Sequence, residues 1–167
     1  MANAFMGYDH FVPLLAPVDI VGTTNTGLYV DLMNAQAVSF LIQFGAITST
    51  TATDEIVITF DCATAEDGTE ATVEYKYQLS AAVGTPTWGD VTTVAATGLG
   101  MGADDSDSMF VLCTLDPGIL AASDYRYARC ILTVSGGMEA CLVSVMAILE
   151  TRYKQDDHIS ATASASS

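Results

Sequence analysis

Positive charge is what this sequence most lacks. Five Lys and Arg stand against twenty Asp and Glu, a formal net charge of -15 over 167 residues, and the first cation along the chain is Lys76. Nucleic-acid affinity depends on Lys and Arg displacing the counterions condensed on phosphates, so a nucleic-acid partner is not expected. The same deficit argues against adhesion to a membrane of anionic lipid. With no cation ahead of Lys76, no charged n-region exists for a secretory leader. Long apolar runs are missing as well: Phe11 to Val21 is interrupted by Pro13, Pro17 and Asp19 and falls short of a bilayer span. Together these absences predict a soluble protein made in the cytoplasm.

Catalytic vocabulary is equally thin. The two histidines, His10 and His158, lie near the ends, so a nucleophilic triad has no obvious base. No GxSxG elbow, HExxH helix or phosphate-binding glycine loop is present. The adjacent carboxylates Asp54-Glu55 and Glu66-Asp67 fall in predicted turns, where solvated acids outweigh a glycosidase pair. No enzyme activity and no cofactor are expected. The four cysteines, Cys62, Cys113, Cys130 and Cys141, are too far apart for a CxxC metal knuckle. Each sits on the apolar parity of a strand, which favours buried free thiols over disulfides. Asp104-Asp105-Ser106-Asp107 is the best metal candidate, since clustered carboxylates suit calcium, but it lacks EF-hand spacing. A solvated loop is the favoured reading there.

What the chain does have is apolar content, 50% of its residues, arranged with a period of two. Val38, Phe40, Ile42 and Phe44 share one side of an extended segment, with Ser39, Leu41 and Gln43 on the other. Ile56, Ile58, Phe60 and Cys62 repeat the pattern, and so do Val73, Tyr75 and Tyr77 within Ala71 to Leu79. Strands are also predicted at Leu28 to Leu32, Gly89 to Val94, Met109 to Leu115, Arg126 to Val134 and Cys141 to Leu149, rich in β-formers. Thr48 to Asp54 and Ser135-Gly136-Gly137 read as links between paired strands, the second a tight hairpin. Glu66-Asp67-Gly68-Thr69 reads as a turn with Gly68 at positive φ. Gly98 to Ser108 reads as a long loop, and Pro117 to Ala122 as one helical turn.

The expected fold is all-β: a single-domain antiparallel β-sandwich, jelly-roll-like, of seven or eight strands. Residues 1–26 are expected to form an extended arm, 27–154 the sandwich, and 155–167 a Ser/Ala-rich tail. The arm's Phe5, Met6, Tyr8, Phe11, Leu14 and Leu15 are candidate partner contacts, each worth roughly 1.5–3 kcal/mol if buried. The alternative is that the arm forms an edge strand and a lid over the core. Arg126 and Arg129 pair either with acids of this chain or with an acidic patch on a neighbouring copy. Trp88 either plugs one end of the core or stands exposed for stacking on sugars, the plug being favoured.

The segments "GLYVDLMNAQAVSFLIQFGAIT" (Gly27 to Thr48), "PTWGDV" (Pro86 to Val91), "YRYARCILTVSGG" (Tyr125 to Gly137) and "ACLVSVMAIL" (Ala140 to Leu149) give the chain a resemblance. It resembles small β-sandwich structural proteins of tailed-phage heads, the decoration or cement type, over roughly Leu28 to Leu149. That resemblance implies a virion protein on the capsid exterior, made in the host cytoplasm, with the major capsid protein as partner. It also implies self-association, with a trimer the natural geometry at a local symmetry axis. A head-fibre base, a carbohydrate-binding sandwich and a tail or connector component remain the rival readings.

Overall fold

Residues 9–22, 24–49, 51, 53–81, 87–102, 109–152 and 163–164 are described by a computed structural model of the chain. Alternation drives them into extended segments, because only a pleated strand sets every second side chain on one side. Two antiparallel sheets result. The front sheet runs, in spatial order, β1 (Asp9–Asp19), β12 (Met138–Thr151), β4 (Ala35–Ser49), β10 (Phe110–Leu115), β7 (Tyr75–Leu79) and β8 (Thr92–Val94). The back sheet runs β13 (Ala163–Ser164), β3 (Tyr29–Asp31), β11 (Tyr127–Val134), β5 (Glu55–Ala63) and β6 (Ala71–Thr72). Two more strands join it, β2 (Asn25–Thr26) on β11 and β9 (Leu99–Gly102) on β5.

The expected all-β sandwich is therefore present, and its strand order is that of a jelly roll. Strands β1-β12-β4-β10 form one layer and β3-β11-β5-β9 the other, the two-sheet arrangement found in viral capsid domains, lectins and cupins. The chain changes layer at most of its connections, and this overturns several local expectations. Ser135-Gly136-Gly137 is not a hairpin, because β11 and β12 lie in different sheets. Thr48 to Asp54 likewise crosses between layers, from β4 to β5. The two crossovers touch: Gly136 (φ +74°) leaves no room for a Cβ, which would stand 1.7 Å from Asp54 Oδ1. Asp54 in turn accepts from the backbone N–H of Thr51 at 3.2 Å and is buried.

Alternation also misled over Ala71 to Leu79. It is not one strand: β6 pairs with β5 at the back, and after Val73-Glu74 the chain crosses to pair β7 with β10 at the front. Gly68 closes its turn by donating to Ala65 O at 3.0 Å, but among the described residues the positive-φ glycines are Gly22, Gly98 and Gly136. Part of the predicted loop after Gly98 is strand β9, and the strand predicted from Gly89 begins at Thr92. The helical turn is present as α1 (Pro117–Ala122), with Asp116 capping it through a 2.8 Å bond from Gly118 N–H.

Between the layers lies one core. Phe40, Ile42, Phe44, Val111 and Cys113 of the front sheet meet Ile56, Ile58, Phe60, Cys130 and Leu132 of the back sheet, all buried. Phe60 packs its ring 4.6 Å from Phe40 and 4.8 Å, edge-on, from Tyr75, a geometry that adds to simple area burial. The buried Tyr75 hydroxyl donates to Ile58 O at 2.7 Å and accepts from Leu99 N–H at 3.0 Å. A front-sheet side chain thereby satisfies two back-sheet backbone groups, which would otherwise carry the cost of unpaired burial.

Candidate functional site

A strand buried on one face should be polar on the other. The front sheet breaks that rule, and the break defines the candidate site. Its outward side chains align in rows fixed by register. Pro13, Met146, Leu41, Leu112 and Gln78 form one row across five strands. Phe11, Ile148, Ser39, Thr114, Lys76 and Thr93 form the next. Ser144, Gln43 and Phe110 form a third.

These rows contain no acid and one cation, Lys76, which is held 3.7 Å from Asp116. In a chain of twenty carboxylates the clearing is the informative feature. Asp9, Glu150 and Asp19 lie on the same two strands but only at their ends. Phe11 and Phe110 are 41% and 37% exposed and Leu142, beside the third row, 53%, while Leu41, Leu112, Met146 and Ile148 are half-buried. An apolar patch continuous over several strands marks a contact surface rather than scattered exposure.

The back sheet's outer face is built differently. Register sets Arg129 opposite Asp61, and Asp61 opposite Thr72. The Arg129 guanidinium lies 2.5 Å from Glu70 Oε2 and 3.7 Å from Asp61 Oδ2, with its carbon 4.6 Å from the centre of the Tyr29 ring. Tyr29 donates its hydroxyl to the other oxygen of Glu70, and Thr72 donates to Asp61 at 2.7 Å. Burial, and then the bond to Glu70, push the Tyr29 phenol well above its ordinary range. Nearby, Arg126 grips Asp31 with two bonds of 3.1 and 2.7 Å. That grip holds the Asp31 carboxyl below its ordinary value against a smaller opposing effect of burial.

The residues expected from sequence to meet a partner are thus dispersed. Phe5, Met6 and Tyr8 lie outside the described residues, as do the Asp104 to Asp107 run and His158. Phe11 is on the front face, Leu14 points into the core, and Leu15 packs against it. The stretch Asp9–Asp19 is an edge strand on β12 rather than a free arm. Its register shifts around Pro13, Leu15 and Val18 and its prolines blunt that edge against further strands. Arg126 and Arg129 are committed to acids of this chain. Trp88 is 39% exposed and does not plug the core.

Sequence reasoning missed Leu41, Leu112, Met146 and Ile148. The available signal was apolar residues on both parities of β4 and β12, which reads as a strand covered on both faces.

Elsewhere, a cleft of about 480 Å³ opens between α1 and the start of β4, lined among others by Leu32, Gln36, Leu120, Tyr125 and Arg152. Arg152 is tied there to Ala35 O at 3.2 Å. Among the described residues no group of His, Cys, Asp or Glu is arranged to hold a metal ion, and no helix is long and apolar enough to cross a membrane.

No protein-family model matches the chain. No curated protein matches it either. Among solved structures, the chain overlays on the Gt strain of infectious bursal disease virus with 11% identity and a TM-score of 0.27, over 86% of this chain and 40% of that one. The Gx strain of the same virus gives 12% identity and a TM-score of 0.19, over 87% and 38%. This chain thus spans less than half the length of either. Overlays this loose carry no argument about function, and the jelly-roll assignment rests on the strand order alone.

Proposed function

We propose that this chain is a structural virion protein of a tailed-phage head, a decoration or cement protein on the capsid exterior that bridges neighbouring capsid subunits. The acid-free rows on the outer face of the front sheet are the observation that supports an assembly role. Half-exposed Phe, Leu, Met and Ile side chains aligned across four strands are worth covering, at roughly 25 cal/mol per Å² of apolar area removed from water. The jelly-roll order and the sequence resemblance point the assembly toward a virion. The acidic remainder suits an outward position, away from packaged DNA. Mechanically, a clamp across a subunit junction adds area that must be exposed before the subunits part, and repetition over a symmetric shell multiplies it.

Purified heads test the reading. The chain should co-sediment with them and appear by cryo-EM on the outer surface, in a copy number that follows the capsid lattice. A handful of copies confined to one ring would make it a connector or tail component instead. A second reading is supported by the exposure of Trp88, which could stack on a sugar. Glycan binding lost in Trp88→Ala with folding retained would favour that module.

A further inference from the structure

We infer that the partner of the front face is a second copy of this chain, packed face to face about a two-fold axis. The inference rests on reading that face as an interface, and it deepens that reading. Its argument is electrostatic. A chain of net charge -15 that docks on a basic partner gains by keeping carboxylates at the contact, because opposite potentials steer and hold such pairs. This chain does the reverse, excluding acids from the three rows. Clearing carboxylates is what a partner equally rich in carboxylates requires, since like charges set across an interface cost several kcal/mol. The one cation in the rows offers no countercharge, because Lys76 is engaged with Asp116. Recognition on this face is apolar and independent of sign.

Shape and area agree. An isologous contact must complement itself, and the row of Met146, Leu41 and Leu112 sits mid-sheet, where a two-fold axis brings like against like. The fourteen row positions, at about 4.8 Å between strands and about 6.8 Å along them, outline a patch of roughly 450 Å² per copy. The pair then buries on the order of 1,000 Å², the lower bound for a specific interface. The dimer is therefore concentration-dependent rather than obligate.

Sedimentation of the full chain over a wide concentration series tests this at low and at high salt. The expected mass rises from 17.5 kDa toward twice that value, and rises further with salt, which screens acid against acid. Association that weakens with salt, or a mass that stays at the monomer value throughout, overturns the inference. Leu41→Glu should weaken the pair on the order of a hundredfold by placing a carboxylate in the apolar centre. Leu41→Lys should do the same, and mixing the two folded variants should restore a heterodimer; no heterodimer means that the face does not meet itself. Head binding separates this inference from the proposed function. A wild-type chain that decorates heads but never pairs sinks only the second-copy partner, whereas one that pairs but never binds heads sinks only the virion role.

Discussion

The two outward faces of this sandwich meet water in opposite ways. At the back, charge is kept and paired: Arg129 lies between Asp61 and Glu70 beneath the Tyr29 ring, and Arg126 clasps Asp31. At the front, charge is pushed to the strand ends, leaving Leu41, Leu112, Met146 and Ile148 in rows that carry no acid. Among the described residues the back face pairs its charges within one chain, whereas the front face carries the apolar side chains that the proposed partner would cover. Burial alone does not mark an interface, since Arg129 is 8% exposed and paired with two acids of its own chain. What marks it is exposed apolar surface aligned in rows that carry no acid.

Substitutions can break this contrast from the back first. Arg129→Met strands two carboxylates against each other and should cost about 3 kcal/mol or more in urea unfolding. Lys76→Met at the front margin removes an exposed pair and should cost at most about 0.5 kcal/mol. An effect between these two, about 1 kcal/mol, is expected from Tyr29→Phe, which removes the donor to Glu70. It also carries a signature at high pH. The folded state raises the Tyr29 phenol above its ordinary 10.0 and so keeps a proton that the unfolded chain releases. Its contribution is full below pH 10 and is lost as pH rises beyond it. Thermal melts across alkaline pH should therefore fall less steeply for the Phe variant.

Acid titration probes the other arm of the same face. Arg126 lowers Asp31 below its ordinary 3.8, so the pair's contribution is present above that value and disappears as pH falls through the lower, folded one. Asp31→Asn should flatten the acid side of the stability profile, while front-face variants leave it unchanged. A small effect is also expected from Leu112→Thr. On a half-exposed position in a strand it should move monomer stability by no more than about 1 kcal/mol, measured by urea melts at a concentration too low for pairing. The same change should weaken the association seen at high concentration. A large loss of monomer stability would mean that Leu112 is core, and the front-to-back contrast would fail.

Much of the fold was legible in the period-two pattern. Phe40, Ile42, Ile58, Phe60, Ala128 and Leu132 all point inward as alternation required. Connectivity was not legible, because local pattern reports which way a side chain faces but not which sheet a strand joins. The Ser135 to Gly137 link looks like a hairpin turn whether the next strand pairs beside it or crosses the core. Ala71 to Leu79 keeps its alternation while its backbone changes partners between Thr72 and Tyr75. The candidate surface was visible only in part. Leu41 stood out as an apolar residue on the polar side, but its row-mates come from β1, β10 and β12, and only register brings them together.

The four thiols turn the same architecture into a reporter. Cys113 and Cys141 belong to the front layer, Cys62 and Cys130 to the back, all buried. Burial raises Cys62 to about 12 and Cys141 to about 11, so alkylating reagents, which need the thiolate, find little to attack while the layers stay closed. Peptide-resolved labelling during unfolding would then show which layer yields first, read from the order in which the cysteines become reactive.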